Sequence, residues 1–281
     1  MLLSFIALHY GFLRPICDKI NLYLHSRGDE RLDLNDFVLL TANAGVLICY
    51  KNKKILVDAL HATKTGRFSR VSDELLLQIA NGEGDFTDVD ALLYTHDHSD
   101  HYSKIWTQRC LDRNPSLHLA GPIHDFADRN HVHILTKAKE VLHIGGISIT
   151  AKRLRHDGNE YASVVNYAYM LDIDGYHILL LGDGVMDGQA IGALLEGWEV
   201  HLALLNFPFL TLKRGREIMD RVIRANKTLL FHLPNLEDDI NGYVPAARRT
   251  LQKIYLNSPA IGLLEEGKKE PIGRMEENNF Y

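Results

Sequence analysis

Tyr94-Thr95-His96-Asp97-His98-Ser99-Asp100-His101 follows directly on the apolar run Ala91-Leu92-Leu93, so it reads as a buried strand running into His-x-His-x-Asp-His. In an extended backbone residues i and i+2 point the same way, which lets His96 and His98 grip one metal ion together. Ser103 has the character of an N-cap for a helix over 103–112, so the chain must turn first. That turn carries Asp100 and His101 past the first ion towards a second. Nitrogen and oxygen donors without thiolate suit zinc first, with manganese or iron as alternatives. With 15 histidines in 281 residues, a chance match at four fixed positions is on the order of a few in a thousand.

Outward from the motif, the chain alternates strand and helix patterns. Phe37–Leu40, Ala44–Tyr50 and Ile55–Asp58 form a meander whose last strand ends in an acid. Asp58 suits a turn, and it also has the place of a carboxylate that orients a metal-bound histidine from behind. The polar loop His61–Arg70 holds His61, Lys64, Arg67 and Arg70, which read either as solvated charges or as a grip on an anionic substrate. Lys213, Arg214 and Arg216 carry the same two readings. Ser72 caps a helix from Asp73, stopped by Gly82.

Beyond the motif a short strand at 117–122 and a short helix at 123–129 are expected, then strands at 133–135, 141–144 and 147–151. His156 falls where the chain leaves a strand, the usual place for a ligand on a sheet rim. A hairpin follows, from Tyr161 to Leu171, through Asp172-Ile173-Asp174-Gly175, and back over Tyr176–Leu181. Gly182-Asp183-Gly184 ends it in a sharp bend that projects Asp183. Helices around 188–196, 214–225 and 244–255 alternate with strands at 200–206 and 228–231, and His232 lies just past the last of these. The tail is expected to fray. No internal repeat is legible, and the pattern fits two sheets packed face to face with helices outside.

Composition bounds the function. The net charge of −5 offers no broad basic field, which argues against a nucleic-acid partner. Three separated cysteines (Cys17, Cys49 and Cys110) form no CxxC pair, which fits a reducing, cytoplasmic setting. The apolar start Met1–Leu8 is too short to span a bilayer and lacks the features of a signal peptide, so no stable membrane insertion is expected. Residues 1–35 read as an extension packed on one domain of 36–281, or as a cap or dimer element; a homo-oligomer is compatible with the sequence.

Asp58, the 96–101 cluster, His156, Asp183 and His232, in that order, resemble the metallo-β-lactamase-fold superfamily from about Asp36 to Tyr255. Ala44-Gly45-Val46-Leu47-Ile48, Ile55-Leu56-Val57-Asp58 and Leu181-Gly182-Asp183-Gly184 are similar to its lactonase-like metal-dependent hydrolases, including ascorbate-6-phosphate lactonase. The resemblance implies an α/β (α+β) fold, a four-layer αββα sandwich with two metal ions on one edge. It assigns His96, His98 and His156 to the first ion, Asp100, His101 and His232 to the second, and Asp183 as a bridge. The implied activity is hydrolysis of a small ester, lactone or phosphoester, anionic substrates included, by a hydroxide held between the ions, with Asp100 orienting the water and moving its proton. The alternatives are a phosphodiesterase acting on a phospholipid or nucleotide, and a non-catalytic metal-binding module. The chain departs from the lactonase pattern at Asn43, where a histidine is usual, and at Gly184, where threonine is frequent. Asp183 in place of cysteine argues against the best-known lactam-cleaving subgroup, and His98 in place of glutamate argues against oxygen-reducing diiron members.

Overall fold

A computed structural model describes residues 35–254 and 261–273; the proposed N-terminal extension and Cys17 lie outside them. Two mixed sheets form the frame. The first consists of β1 (Phe37–Ala42), β2 (Gly45–Tyr50), β3 (Lys53–Val57), β4 (Ala91–Leu93), β5 (His118–Gly121) and β6 (Val132–Ile134), edged by β14 (Lys269–Pro271) beside β1. The second consists of β7 (Lys139–Ile144), β8 (Ile147–Arg153), β9 (Tyr167–Ile173), β10 (Tyr176–Leu180), β11 (Leu202–Asn206) and β12 (Lys227–Phe231), edged by β13 (Ile261–Leu263) beside β12.

Period-two patterning builds the layers. Val46, Ile48, Ile55 and Val57 point inward against Ile149, Tyr169, Leu171 and Ile178 of the facing sheet. Their neighbours Leu47, Leu56 and Leu92 point outward onto α1 (Asp73–Asn81) and α2 (Lys104–Arg113), burying Leu76, Ile79 and Leu111. The second sheet does the same with Met170, Leu179, Ala203 and Leu230. These meet α3 (Gly188–Leu195), α4 (Pro208–Thr211), α5 (Lys213–Ile218) and α6 (Tyr243–Ile254). The result is the expected αββα sandwich. Among the described residues, no helix is long and apolar enough to cross a membrane.

The two sheets share one plan. In each, an edge strand and a three-strand antiparallel meander are followed by three strands added in parallel. This architectural repeat is invisible to residue matching because only the connectivity recurs.

Several expectations need correction. Residues 123–129 form turns, because Pro122 and the polar run His124-Asp125 lead straight back to the sheet edge. The helix expected over 214–225 ends as α5 at Ile218 and continues as a π turn over Met219–Ile223, closed by Arg224 at φ 52°. The strand expected from Tyr161 starts only at Tyr167, leaving 161–166 as a loop beside the site. The tail does not fray over 261–273, since β13 and β14 complete the two sheets.

Candidate metal centre

The C-terminal ends of β3, β4, β10 and β12 open onto one rim, and the candidate residues gather there. Asp58 leaves β3 at φ 50° and is buried. Its Oδ1 accepts from the Thr95 backbone N–H at 2.8 Å, and its Oδ2 accepts from the Thr95 hydroxyl at 2.6 Å and from His101 Nδ1 at 2.9 Å. The Thr95 hydroxyl has given its hydrogen to Asp58, so at 2.9 Å it can only accept from His96 Nδ1. One carboxylate thereby fixes two tautomers, directly for His101 and through Thr95 for His96. Both rings turn an Nε2 lone pair towards the rim.

His156 reaches the same state by another route, with Nδ1 2.6 Å from the Asp157 carbonyl. The Nε2 atoms of His96 and His156 are buried without any hydrogen-bond partner. A buried acceptor left unmet costs about 1–3 kcal/mol, so two of them aimed at one carboxylate is the arrangement expected of ligands.

Asp183 lies between the histidines. Its Oδ2 is 3.9 Å from His96 Nε2 and 3.6 Å from His156 Nε2, while its Oδ1 is 3.5 Å from His101 Nε2 and 3.3 Å from His232 Nε2. Asn206 Nδ2, at the end of β11, donates to Oδ1 at 2.8 Å, and the Asp183 backbone N–H is held by Asn166 Oδ1. Gly182 is obligatory before it: φ is 55°, and a Cβ there would fall 2.4 Å from Asn166 Oδ1 and 2.7 Å from Thr95 Cβ. The strand exit of His156 pairs with this bend through a bridge to Gly184.

Ligand-type atoms of His96, His98, His156 and Asp183 lie within 4.8 Å of one another, and so do those of Asp100, His101 and His232. These are the two sets the sequence proposes, with Asp183 facing both. His98 is half-buried, the most open histidine of the first set, and its ring meets those of His96 and His156 edgewise. His101 Nε2 and His232 Nε2 are only 3.1 Å apart. Asp100 Oδ2 is 3.9 Å from His232 Nε2.

The electrostatics call for positive charge. Burial works to lower the His101 pKa, yet Asp183 and Asp58 overrule it and hold the ring well above the ordinary histidine value. Burial opposes Asp183 likewise, and His232 and His101 pull its carboxyl far down. His96 is driven well below its usual value by burial and by His101. In the bare protein these acids favour the charged form of His101; a divalent cation offers the same compensation with all imidazoles neutral. Buried lone pairs, fixed tautomers and a shared acid all fit such ions.

The substrate-loop residues are placed differently. His61 is fully buried, its Nε2 3.3 Å from the Ala42 carbonyl, and burial with nearby His101 pushes it down to about 4. Lys64 is ion-paired with Asp238, and Arg70 with Asp73. Lys213 pairs with Glu217, and Arg216 donates to the carbonyls of Leu210 and Thr211.

Six residues escaped the sequence reading of the site. Thr95, Asn166 and Asn206 hold candidate ligands in place, Tyr161 lies 5.1 Å from His98 and 4.9 Å from His156 by ring centroids, and Phe68 meets His232 edge-on at 4.4 Å. Asn43, noted only as a departure, is buried against Asp100. The rule that singled out Asp58, a polar residue at a strand's end, would have found Asn206. Nothing local marks Phe68 or Tyr161.

The class this defines is an αββα protein with a histidine–aspartate rim. The chain belongs to the β-lactamase superfamily: residues 40–202, more than half of it, match the family's domain model, described as beta-lactamase superfamily domain. Its fold is that of a possible metal-dependent hydrolase from Veillonella parvula DSM 2008 (18% identity, TM-score 0.61, 84% of this chain and 99% of that one). It is also that of an isothiocyanate hydrolase from Delia radicum gut bacteria (15%, 0.61, 83% and 98%). CmlA, a diiron β-hydroxylase from Streptomyces venezuelae, shares it too (12%, 0.57, 84% of this chain and 54% of that one). At such identities the likeness concerns the fold alone. No curated protein sequence matches the chain.

Proposed function

We propose that the protein is a binuclear metal-dependent hydrolase of a small ester, lactone or phosphoester. One observation carries the reading: the two oxygens of Asp183 face separate histidine sets, and the buried Nε2 atoms of His96 and His156 have no other partner. His96, His98 and His156 would hold one ion and Asp100, His101 and His232 the other, with Asp183 shared. Zinc heads the order for this donor set, ahead of manganese and iron.

When bound, two divalent ions acidify water to a pKa of roughly 7 and polarise a carbonyl or phosphoryl oxygen. This chain's residues do the rest. Asp58 and Thr95 keep His96 and His101 in the tautomers that leave Nε2 free. Asp100, the least buried member of the second set, takes the proton of the attacking water at Oδ2 and returns it to the leaving oxygen. Of the three cations proposed for an anionic substrate, Lys64 and Arg70 are neutralised by Asp238 and Asp73, and Arg67 alone has no ion pair among the described residues. Any grip on substrate charge from this loop therefore rests on Arg67. The formal charge of −5 speaks for a small molecule over nucleic acid.

The test has two parts. Elemental analysis after metal-replete purification should find about two ions per chain, and finding none after reconstitution ends the proposal. A screen of lactone, carboxylic ester, thioester, phosphodiester and lactam substrates then identifies the bond. On the substrate found, Asp100→Asn should lower turnover by about 10²–10⁴-fold, the range of a positioned proton carrier, while His96, His98 and His156 keep the first ion. Wild-type turnover in that variant would remove Asp100 from the role. Activity against phosphodiesters alone would favour the phospholipid or nucleotide reading, and bound metal without any turnover would favour the non-catalytic module.

A further inference from the structure

The turn between β1 and β2 places one residue against the second ligand set only. Asn43 is fully buried, with φ 44°. Its backbone carbonyl accepts from the His232 N–H at 2.9 Å, and a bridge to Leu233 extends that contact. Its side-chain Nδ2 donates to the Asp100 carbonyl and to Asp100 Oδ2, each at 3.4 Å. Both partners are acceptors, so the amide must present its NH₂ group to them; the flipped amide would set oxygen against a carboxylate. That Oδ2 is the oxygen 3.9 Å from His232 Nε2.

A single residue thus touches two of the three members of the Asp100–His101–His232 set, one through its backbone and one through its amide. No hydrogen bond joins it to His96, His98, His156 or Asp183. His232 itself leaves β12 at φ 62°, a conformation that costs a non-glycine residue and needs support from outside. The carbonyl of Asn43 supplies that support, and its amide sets the rotamer of the acid opposite.

We infer that Asn43 is a positioning residue for the second ion alone, so that the affinity of that site can change without the first. The inference rests on the two-ion reading above. Partners of this kind typically change metal affinity by about 10–100-fold.

The experiment titrates the metal-free protein with Zn²⁺ against a chromophoric chelator, for the wild type, Asn43→Ala and Asn43→Gly. Glycine accepts φ 44° without strain, so Asn43→Gly keeps the turn and the carbonyl while deleting the amide. The wild type should take up two ions. Both variants should bind the first as the wild type does and the second about 10–100-fold more weakly. In a His98→Ala/His156→Ala background, which leaves only the second set intact, the same loss should be read on a single ion. Unchanged affinity for both ions in Asn43→Gly overturns the inference, and so does equal weakening of both, which marks a general loosening. Fewer than two ions in the wild type overturns the two-ion reading first and this inference with it.

Discussion

The two sheets follow one plan yet equip the rim in opposite ways. In the first, four candidate ligands crowd into six residues after β4, and the acid that ends the meander, Asp58, stands behind them. In the second, the candidate ligands come singly, His156 after β8 and His232 after β12, and the matching acid, Asp183, stands among them. The positions of Asp58 and Asp183 correspond, each following the third strand of its meander. Their neighbours make the difference. Both oxygens of Asp58 are saturated by Thr95 and His101, whereas Asp183 spends one oxygen on Asn206 and presents both to histidines. One backbone position can therefore hold a ligand or the support of a ligand, depending on the donors around it.

This contrast can be broken by neutralising each acid in turn. Asp183→Asn should have the largest effect, losing both ions and at least several kcal/mol of transition-state stabilisation, on the order of a thousandfold or more in turnover. Metal analysis together with kcat on the screened substrate would check it.

A second consequence lies in the first half, which buries His61 next to the cluster without using it as a ligand. Its folded pKa of about 4 lies below the ordinary 6.5, so the unfolded chain binds the extra proton and stability falls as pH drops from 6.5 through 4. The loss should reach about 3 kcal/mol at the acid end. Denaturation of the metal-free protein across that window should show His61→Gln losing less than the wild type, by up to that amount; parallel curves would remove His61 from the account.

Asp58→Asn comes next, with both ions weakened together by about 10–100-fold because His96 and His101 depend on the same carboxylate. A loss confined to the His101 set would break the Thr95 relay. The smallest effect belongs to the rings at the two ends of the rim. Phe68→Ala and Tyr161→Ala should leave metal content intact and change KM by a few-fold, about 1 kcal/mol each, which steady-state kinetics would detect.

The legible and illegible parts divide along the same line. The loop after β4 could be read because its ligands are neighbours in sequence, where a two-residue period and a turn suffice to aim them. His156, Asp183 and His232 gain meaning only as a set, since each alone is an ordinary polar residue at a strand's end. The sandwich was readable from continuous apolar runs such as Gly45–Tyr50, the mark of strands covered on both faces. Asn43 and Asn166 act across strands distant in sequence, and no local pattern encodes such contacts; Asn206 had the strand-end position that marked Asp58. The strands Ile261–Leu263 and Lys269–Pro271 were missed because three residues among Gly, Glu and Lys carry too little alternation to register.

Those two short strands have a consequence for how the chain is made. Phe37, at the start of β1, pairs with Pro271, and Thr228 of β12 pairs with Ile261. Each sheet thus waits for an edge that is synthesised last, and until then β1 and β12 present bare backbone donors and acceptors to whatever is near. A nascent chain stalled before residue 261 would carry a complete set of rim residues on two unsealed sheets, a species prone to pair with its own copies. Translation through residues 261–271 replaces those two longer edges with three-residue ones, which offer a neighbouring chain less to pair with.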